Sequence, residues 1–250
     1  MTAGFIAFEL DLMKAVMDQL VPSLDTLHGA PLTPENAGAL PDAQGVYLLL
    51  HEGKVQYVGK TDAEAGLRTR ITRHARKFEH RRNIKPSDVM FKTAQVLVLT
   101  AMDVESRLIA HYDAEWNGSG FGSNDPGCER ETTNKPEQGF DARFPIDIDL
   151  PVEALPPGDH NVHEALVALK DALPYTLRFE VVGKGGQAYR NRPHPDYVSN
   201  RVVVPPPPHT VRQLLKLIVA TLPVGWQATE FVSHVILYKE SRGYTHGTVI

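Results

Sequence analysis

Apolar residues recur at helical spacing over residues 5–20, at Phe8, Leu10, Leu12, Ala15, Val16 and Leu20, and predict one amphipathic helix. Residues 21–44 carry several Pro and Gly and read as loop. Val46–Leu50 is a compact apolar run, followed by the turn pair Glu52-Gly53 and by Val55–Val58, which together predict a β-hairpin. Leu67, Ile71, Ala75 and Phe78 then fall on one face of a helix whose outer face is basic. Residues 79–93 are polar and read as loop, and Val96–Leu99 reads as a strand. Asp103 is an expected N-cap for a helix to about Glu115, with Val104, Leu108, Ile109 and Tyr112 as its stripe. The order β-β-α-β-α within this stretch predicts a small α/β, or α+β, sandwich.

The second half is less regular. Residues 117–160 are rich in Gly, Pro, Asn and Asp and read as a long loop. Asn161 with Glu164 resembles a capping box opening a helix to Leu173, and Leu177–Val182 reads as a strand. Residues 183–209 are irregular and end in Pro205–Pro208, which reads as a stiff spacer. Thr210 with Gln213 predicts a second capping box, opening a helix to about Leu222 that is apolar on nearly every side. Phe231–Tyr238 reads as a closing strand, and no internal repeat is present.

Composition bounds the class. The 250 residues suit one large domain or two small ones, and 42% hydrophobic with 22% charged residues is ordinary globular usage. No apolar run reaches the ~20 residues of a membrane span, and no signal peptide is evident, so the expected location is cytoplasmic. The single cysteine, Cys128, excludes an internal disulfide and a thiolate zinc site, and no local triad signature surrounds it.

Charge is unevenly distributed. Residues 60–92 hold ten Lys or Arg against four acids, a local charge of +6 in a chain of net charge −4. Such a concentration predicts a polyanion site. Lys60, Arg73, Arg76, Lys77, Arg81, Arg82 and Lys85 are the expected nucleic-acid contacts. Phosphate contacts give affinity without sequence reading, whereas base reading needs Arg, Lys, Asn or Gln at base edges. Arg81, Arg82, Asn83 and Lys85, or Arg190, Asn191 and Arg192, are the two open sets for that role. Weaker signals carry less: His160, His163 and Glu164 read as the polar start of a helix. Gly183-Lys184-Gly185-Gly186 lacks P-loop spacing, and Asp147 and Asp149 lie in a Pro-bounded segment.

Gly45-Val46-Tyr47 and Tyr57-Val58-Gly59, followed by Arg70, Glu105 and Asn117, resemble the GIY-YIG nuclease superfamily over roughly residues 40–120, with Val for Ile in both signatures. His74 four residues after Arg70, the Glu105 to Asn117 spacing, the Gly-rich segment 118–127 and Phe144-Pro145-Ile146-Asp147 resemble the type II restriction branch that cuts the CCGCGG palindrome. The resemblance implies a GIY-YIG core, a small antiparallel sheet flanked by helices, at 41–150. An N-terminal helix and loop at 1–40 would serve dimer or DNA contact, and a C-terminal α/β extension at 151–250 target recognition or dimerisation.

It also implies a Mg²⁺-dependent, site-specific endonuclease for double-stranded DNA, with Mn²⁺ able to substitute. The protein would act as a homodimer and be paired biologically with a cognate DNA methyltransferase. Glu105 would hold the metal, and one carboxylate suffices for an ion that keeps its waters. Tyr47 would act as general base, its phenolate favoured by Lys60. Arg70 would stabilise charge on the phosphate and His74 would contact it or assist proton transfer. Tyr57 would hydrogen-bond the water or phosphate, and Asn117 would position the Glu105 region. Two other readings stay open: a less specific defence or repair nuclease acting on single-stranded or branched DNA, and a non-catalytic binding module on a nuclease core.

Overall fold

The computed structural model describes residues 4, 11–62, 64–96, 104–118, 121, 139–182 and 192–250. It is a mixed α/β protein of small, mainly antiparallel sheets and helices, in two compact units. The first comprises residues 1–75 and 86–118, the second residues 76–85 and 119–250. The expected divisions at 40 and 150 differ from this: the N-terminal helix joins the first unit, and 76–85 belongs with the C-terminal half.

In the first unit, α1 (Leu12–Thr26) is capped by Asp11, whose side chain accepts from the Lys14 N–H at 2.8 Å. Residues 5–10 of the expected helix lie outside the described residues. β1 (Ala30–Pro31), α2 (Pro34–Gly38), β2 (Gly45–His51) and β3 (Lys54–Lys60) follow. Then come α3 (Leu67–Glu79), β4 (Val89–Gln95), α4 (Val104–Tyr112) and α5 (Glu115–Gly118). The antiparallel sheet has the order β1-β4-β2-β3. Glu52 and Gly53 both take positive φ, 53° and 77°, as a two-residue hairpin turn requires.

Successive strand residues point to opposite faces. Val46, Leu48 and Val58 pack with Leu24 of α1 and with Val104 and Leu108 of α4. Tyr47, Leu49 and Tyr57 occupy the other face. The hairpin register sets Tyr47 opposite Gly59, where a Cβ would fall inside the Tyr47 ring. Glycine is therefore required there to seat the tyrosine.

Two sequence expectations shift. β4 begins at Val89, not Val96, because inward Val89 and Phe91 alternate with Met90 and Lys92 and complete a seven-residue ladder with β2. Residues 97–99 and the expected cap Asp103 lie outside the described residues. The following helix stops at Tyr112, where Asp113 turns to φ 49°, and α5 then carries Asn117.

The second unit contains α6 (Phe140–Arg143), β5 (Pro151–Val152), β6 (Gly158–Asn161), α7 (Val162–Ala172), β7 (Thr176–Phe179) and α8 (Pro195–Ser199). It continues through β8 (Arg201–Val204), β9 (His209–Thr210), α9 (Val211–Thr221), β10 (Trp226–Phe231), β11 (His234–Lys239) and β12 (Gly247–Val249). Its larger sheet runs β12-β10-β11-β7, with β7 parallel to β11, and β5-β9 and β6-β8 are antiparallel pairs. Leu166 and Leu169 of α7, Leu215 and Ile218 of α9, and Leu177, Val235 and Leu237 form its core.

The Thr210–Gln213 capping box forms in both directions. The expected Asn161–Glu164 box does not: Asn161 caps α7 alone, through the His163 N–H. α9 is amphipathic and not buried all round, since Gln213 and Lys216 are exposed. The single closing strand is a hairpin, β10 and β11. Pro205–Pro208 is no spacer between domains. It joins β8 to β9 inside this unit, and both strands pair with earlier segments. Among the described residues, no helix is long and apolar enough to cross a membrane.

Candidate active site

The first unit brings together side chains spread over about seventy residues of sequence. β2 supplies Tyr47, β3 supplies Tyr57 and Lys60, α3 supplies Arg70 and His74, α4 supplies Glu105 and α5 supplies Asn117. Arg70 and His74 share a helix face because they are four apart.

Tyr47, Tyr57 and His74 form a three-ring cluster. His74 lies 5.3 Å from each tyrosine ring, and the tyrosine rings lie 6.1 Å apart. The Tyr47 hydroxyl and His74 Nε2 share a hydrogen bond of 2.9 Å, whose direction follows the histidine tautomer. Burial drives the Tyr47 hydroxyl well above its ordinary pKa, with the Tyr57 side chain adding to the rise and Arg70 opposing it. Tyr57 rises for the same first reason, and the Glu105 charge adds to it.

Lys60, expected to favour the Tyr47 phenolate, has a carboxylate partner. Its Nζ pairs with Glu105 Oε2 at 3.4 Å, and Arg70 is the cation whose field favours the Tyr47 phenolate. Glu105 sits in the first turn of α4. Its partly exposed carboxylate, held by one exposed ammonium, keeps lone pairs for a hard cation, and the donor suits Mg²⁺ with its waters.

Asn117 acts on β3 rather than on the Glu105 region. Its Oδ1 accepts from the Val58 N–H at 2.8 Å, and its Nδ2 donates to the Val58 carbonyl at 2.7 Å. Among the described residues β3 is the last strand of its sheet. The side-chain amide thus stands in for a missing neighbour strand at the residue between Tyr57 and Gly59.

Sequence reasoning missed Asp62. Its Oδ2 accepts from Arg70 Nη2, and its Oδ1 accepts from the Glu64 and Ala65 N–H groups at 3.0 and 2.8 Å. The Glu64 amide is the leading influence holding this carboxyl below its usual range, and Arg70 adds to it. The available signal was an Asp able to form an Asx turn just before α3.

The expected nucleic-acid contacts separate into two groups. Arg73, Arg76 and Lys85 are exposed, although Arg76 Nη2 also donates to the Ala172 carbonyl at 3.4 Å. Lys77 instead donates to the Phe121 carbonyl at 2.9 Å, over the Phe121 ring. Arg81 is a correction: its side chain is 9% exposed and paired with a 3% exposed Asp141 at 3.0 Å. It also donates to the Phe144 carbonyl at 2.7 Å and covers the Phe140 ring. Those bonds make it an internal anchor, not a phosphate contact.

Arg82 lies among Asp147, Asp149 and Glu230. Asn83 donates to the Arg143 carbonyl at 3.3 Å. Arg190, Asn191, Cys128 and Gly183–Gly186 lie outside the described residues. Among the described residues, no group of three or more His, Cys, Asp or Glu gathers to hold a metal, the His160–Glu164 set included. No family model matches this chain, and no curated protein matches it.

Proposed function

We propose that this chain is a Mg²⁺-dependent, site-specific endonuclease for double-stranded DNA, built on a GIY-YIG catalytic core of the type II restriction kind. The observation that carries the reading is the convergence of Tyr47, Tyr57, His74, Arg70 and Glu105, from two strands and two helices, within mutual electrostatic reach. As a restriction enzyme it acts as a homodimer on a palindrome, and a DNA methyltransferase protects the host sites.

Hydrolysis requires a new bond from water oxygen to phosphorus, loss of one ester bond, and a proton acceptor for the water. A phenolate formed by simple ionisation of Tyr47 is disfavoured by burial. A relay avoids that cost: Tyr47 takes the water proton as its own passes to His74 Nε2, 2.9 Å away. The departing oxygen takes a proton from solvent.

Arg70 exchanges Asp62 for a phosphate oxygen and stabilises the charge that builds there. Tyr57 orders the water beside this pair. Glu105 would hold Mg²⁺, which would supply Lewis-acid stabilisation at the scissile phosphate. Asn117 fixes the strand that carries Tyr57.

The test is digestion of a fully sequenced plasmid with Mg²⁺ or with EDTA, wild type beside Glu105→Gln. Discrete Mg²⁺-dependent fragments are expected, with the variant at least about a hundredfold slower. Wild-type protein that leaves DNA intact in Mg²⁺ would falsify the enzyme reading. A smear in place of bands favours the less specific nuclease. Undiminished cutting by Glu105→Gln removes the metal ligand.

A further inference from the structure

Within the second unit, Arg82 is held on a rigid frame. Its backbone N–H donates to the Pro145 carbonyl at 2.9 Å, and the Asp147 N–H donates to the His80 carbonyl at 2.9 Å. An isolated bridge joins the neighbouring pair Arg81 and Ile146. The Arg82 side chain is 43% exposed, and its Nη2 stands 3.6, 3.7 and 3.6 Å from Asp147, Asp149 and Glu230. These distances orient a guanidinium without consuming its donors. Among the described residues its side chain makes no hydrogen bond.

The neighbouring Arg212 shows what a closed structural pair looks like. It grips Asp149 through two bonds of 2.7 and 3.0 Å and Glu230 through one of 2.7 Å. The cluster is also charge-balanced, because Lys216 lies near Asp149 and three cations meet three carboxylates. A neutral patch attracts phosphate poorly. A half-exposed guanidinium with uncommitted donors instead matches the acceptor edge of a base. Among the described residues two polar groups beside the cluster have no hydrogen-bond partner, His80 Nδ1 and the Tyr175 hydroxyl, whose residue is 9% exposed and on which the same three acids act.

Resting on the endonuclease reading above, we propose that Arg82 is a specificity-determining residue that reads guanine in the target. Its half-exposed fork would donate to O6 and N7 in the major groove. The three carboxylates act as positioning residues that fix the fork.

The experiment is selection of a randomised duplex library by the full chain with Ca²⁺ in place of Mg²⁺, for wild type, Arg82→Ala and Arg82→Lys. Wild type is expected to enrich a motif with an invariant G·C pair. Both variants should lose the G preference at one position. They should bind the wild-type motif about tenfold to a hundredfold more weakly, with a much smaller change on a scrambled duplex.

Thermal melting identifies a misfolded Arg82→Ala, and Arg82→Lys, which keeps the charge and removes the fork, then decides. Three results overturn the proposal: the same motif and affinity in Arg82→Lys, equal losses on selected and scrambled duplexes, or no motif for wild type. The last of these, with Mg²⁺-dependent cutting intact, leaves the endonuclease standing and removes only the reader.

Discussion

Tyr47 and His74 illustrate how a side chain's neighbours change its assignment. Tyrosine in a hairpin is ordinary cross-strand packing, and the hydroxyl near an imidazole is what gives it a chemical role. Tyr47→Phe keeps the buried ring and removes the hydroxyl, with its bond to His74 and its interaction with Tyr57. Its stability cost should be about 1 kcal/mol. Single-turnover cleavage with Mg²⁺ should fall by about 10²- to 10⁴-fold, the size of a lost acid–base group. A variant that melts like wild type and cuts at the wild-type rate would take Tyr47 out of the proton path.

At the level of elements, one residue closes a strand edge. Asn117 satisfies both backbone groups of buried Val58. Asn117→Leu should therefore cost about 1–3 kcal/mol, read from the denaturant midpoint. Asn117→Asp should lose comparably, because a carboxylate has no hydrogen to donate to the Val58 carbonyl. An aspartate variant as stable as wild type would mean that only the Val58 N–H bond matters.

The elements legible in the sequence were those with local signals: the hairpin with its Glu-Gly turn, α3, α4, and the Thr210–Gln213 capping box. Those that were not depend on distant partners. β4 was obscured because Lys92 and Thr93 break its apolar run, although its inward residues pair with β2. Arg81 looked like a phosphate contact because nothing local announces Asp141, sixty residues on. Pro205–Pro208 looked like a linker because only the tertiary ladders tie both its ends down. In the candidate site the residue types were readable in order, whereas the partners of Lys60, Arg70 and Asn117 were not.

Over the whole molecule, buried and half-buried tyrosines set the alkaline limit. Tyr47, Tyr57, Tyr112, Tyr175 and Tyr197 are all held above the ordinary tyrosine value, burial being the first cause in each. The folded protein keeps protons that the unfolded chain releases. Stability contributed by these groups is full below the ordinary pKa of ~10 and declines as pH rises above it. Melting temperature should hold to about pH 9 and fall steadily beyond about pH 10, with phenolate absorbance rising at the same transition. A flat melting temperature to about pH 11 would show that these rings ionise in the folded state.

The excursion of residues 76–85 into the second unit has a consequence for how such a protein acquires new behaviour. The helix that carries Arg70 and His74 runs on into Phe78, which packs on Phe121 and Phe140. A breakpoint near residue 118 would transplant the C-terminal half while leaving behind Arg81, the partner of Asp141, and Arg82, the neighbour of Asp147 and Asp149. Chimeras joined there inherit an unmatched seam. A chimera that keeps these pairs exchanges residues 76–85 together with the C-terminal half.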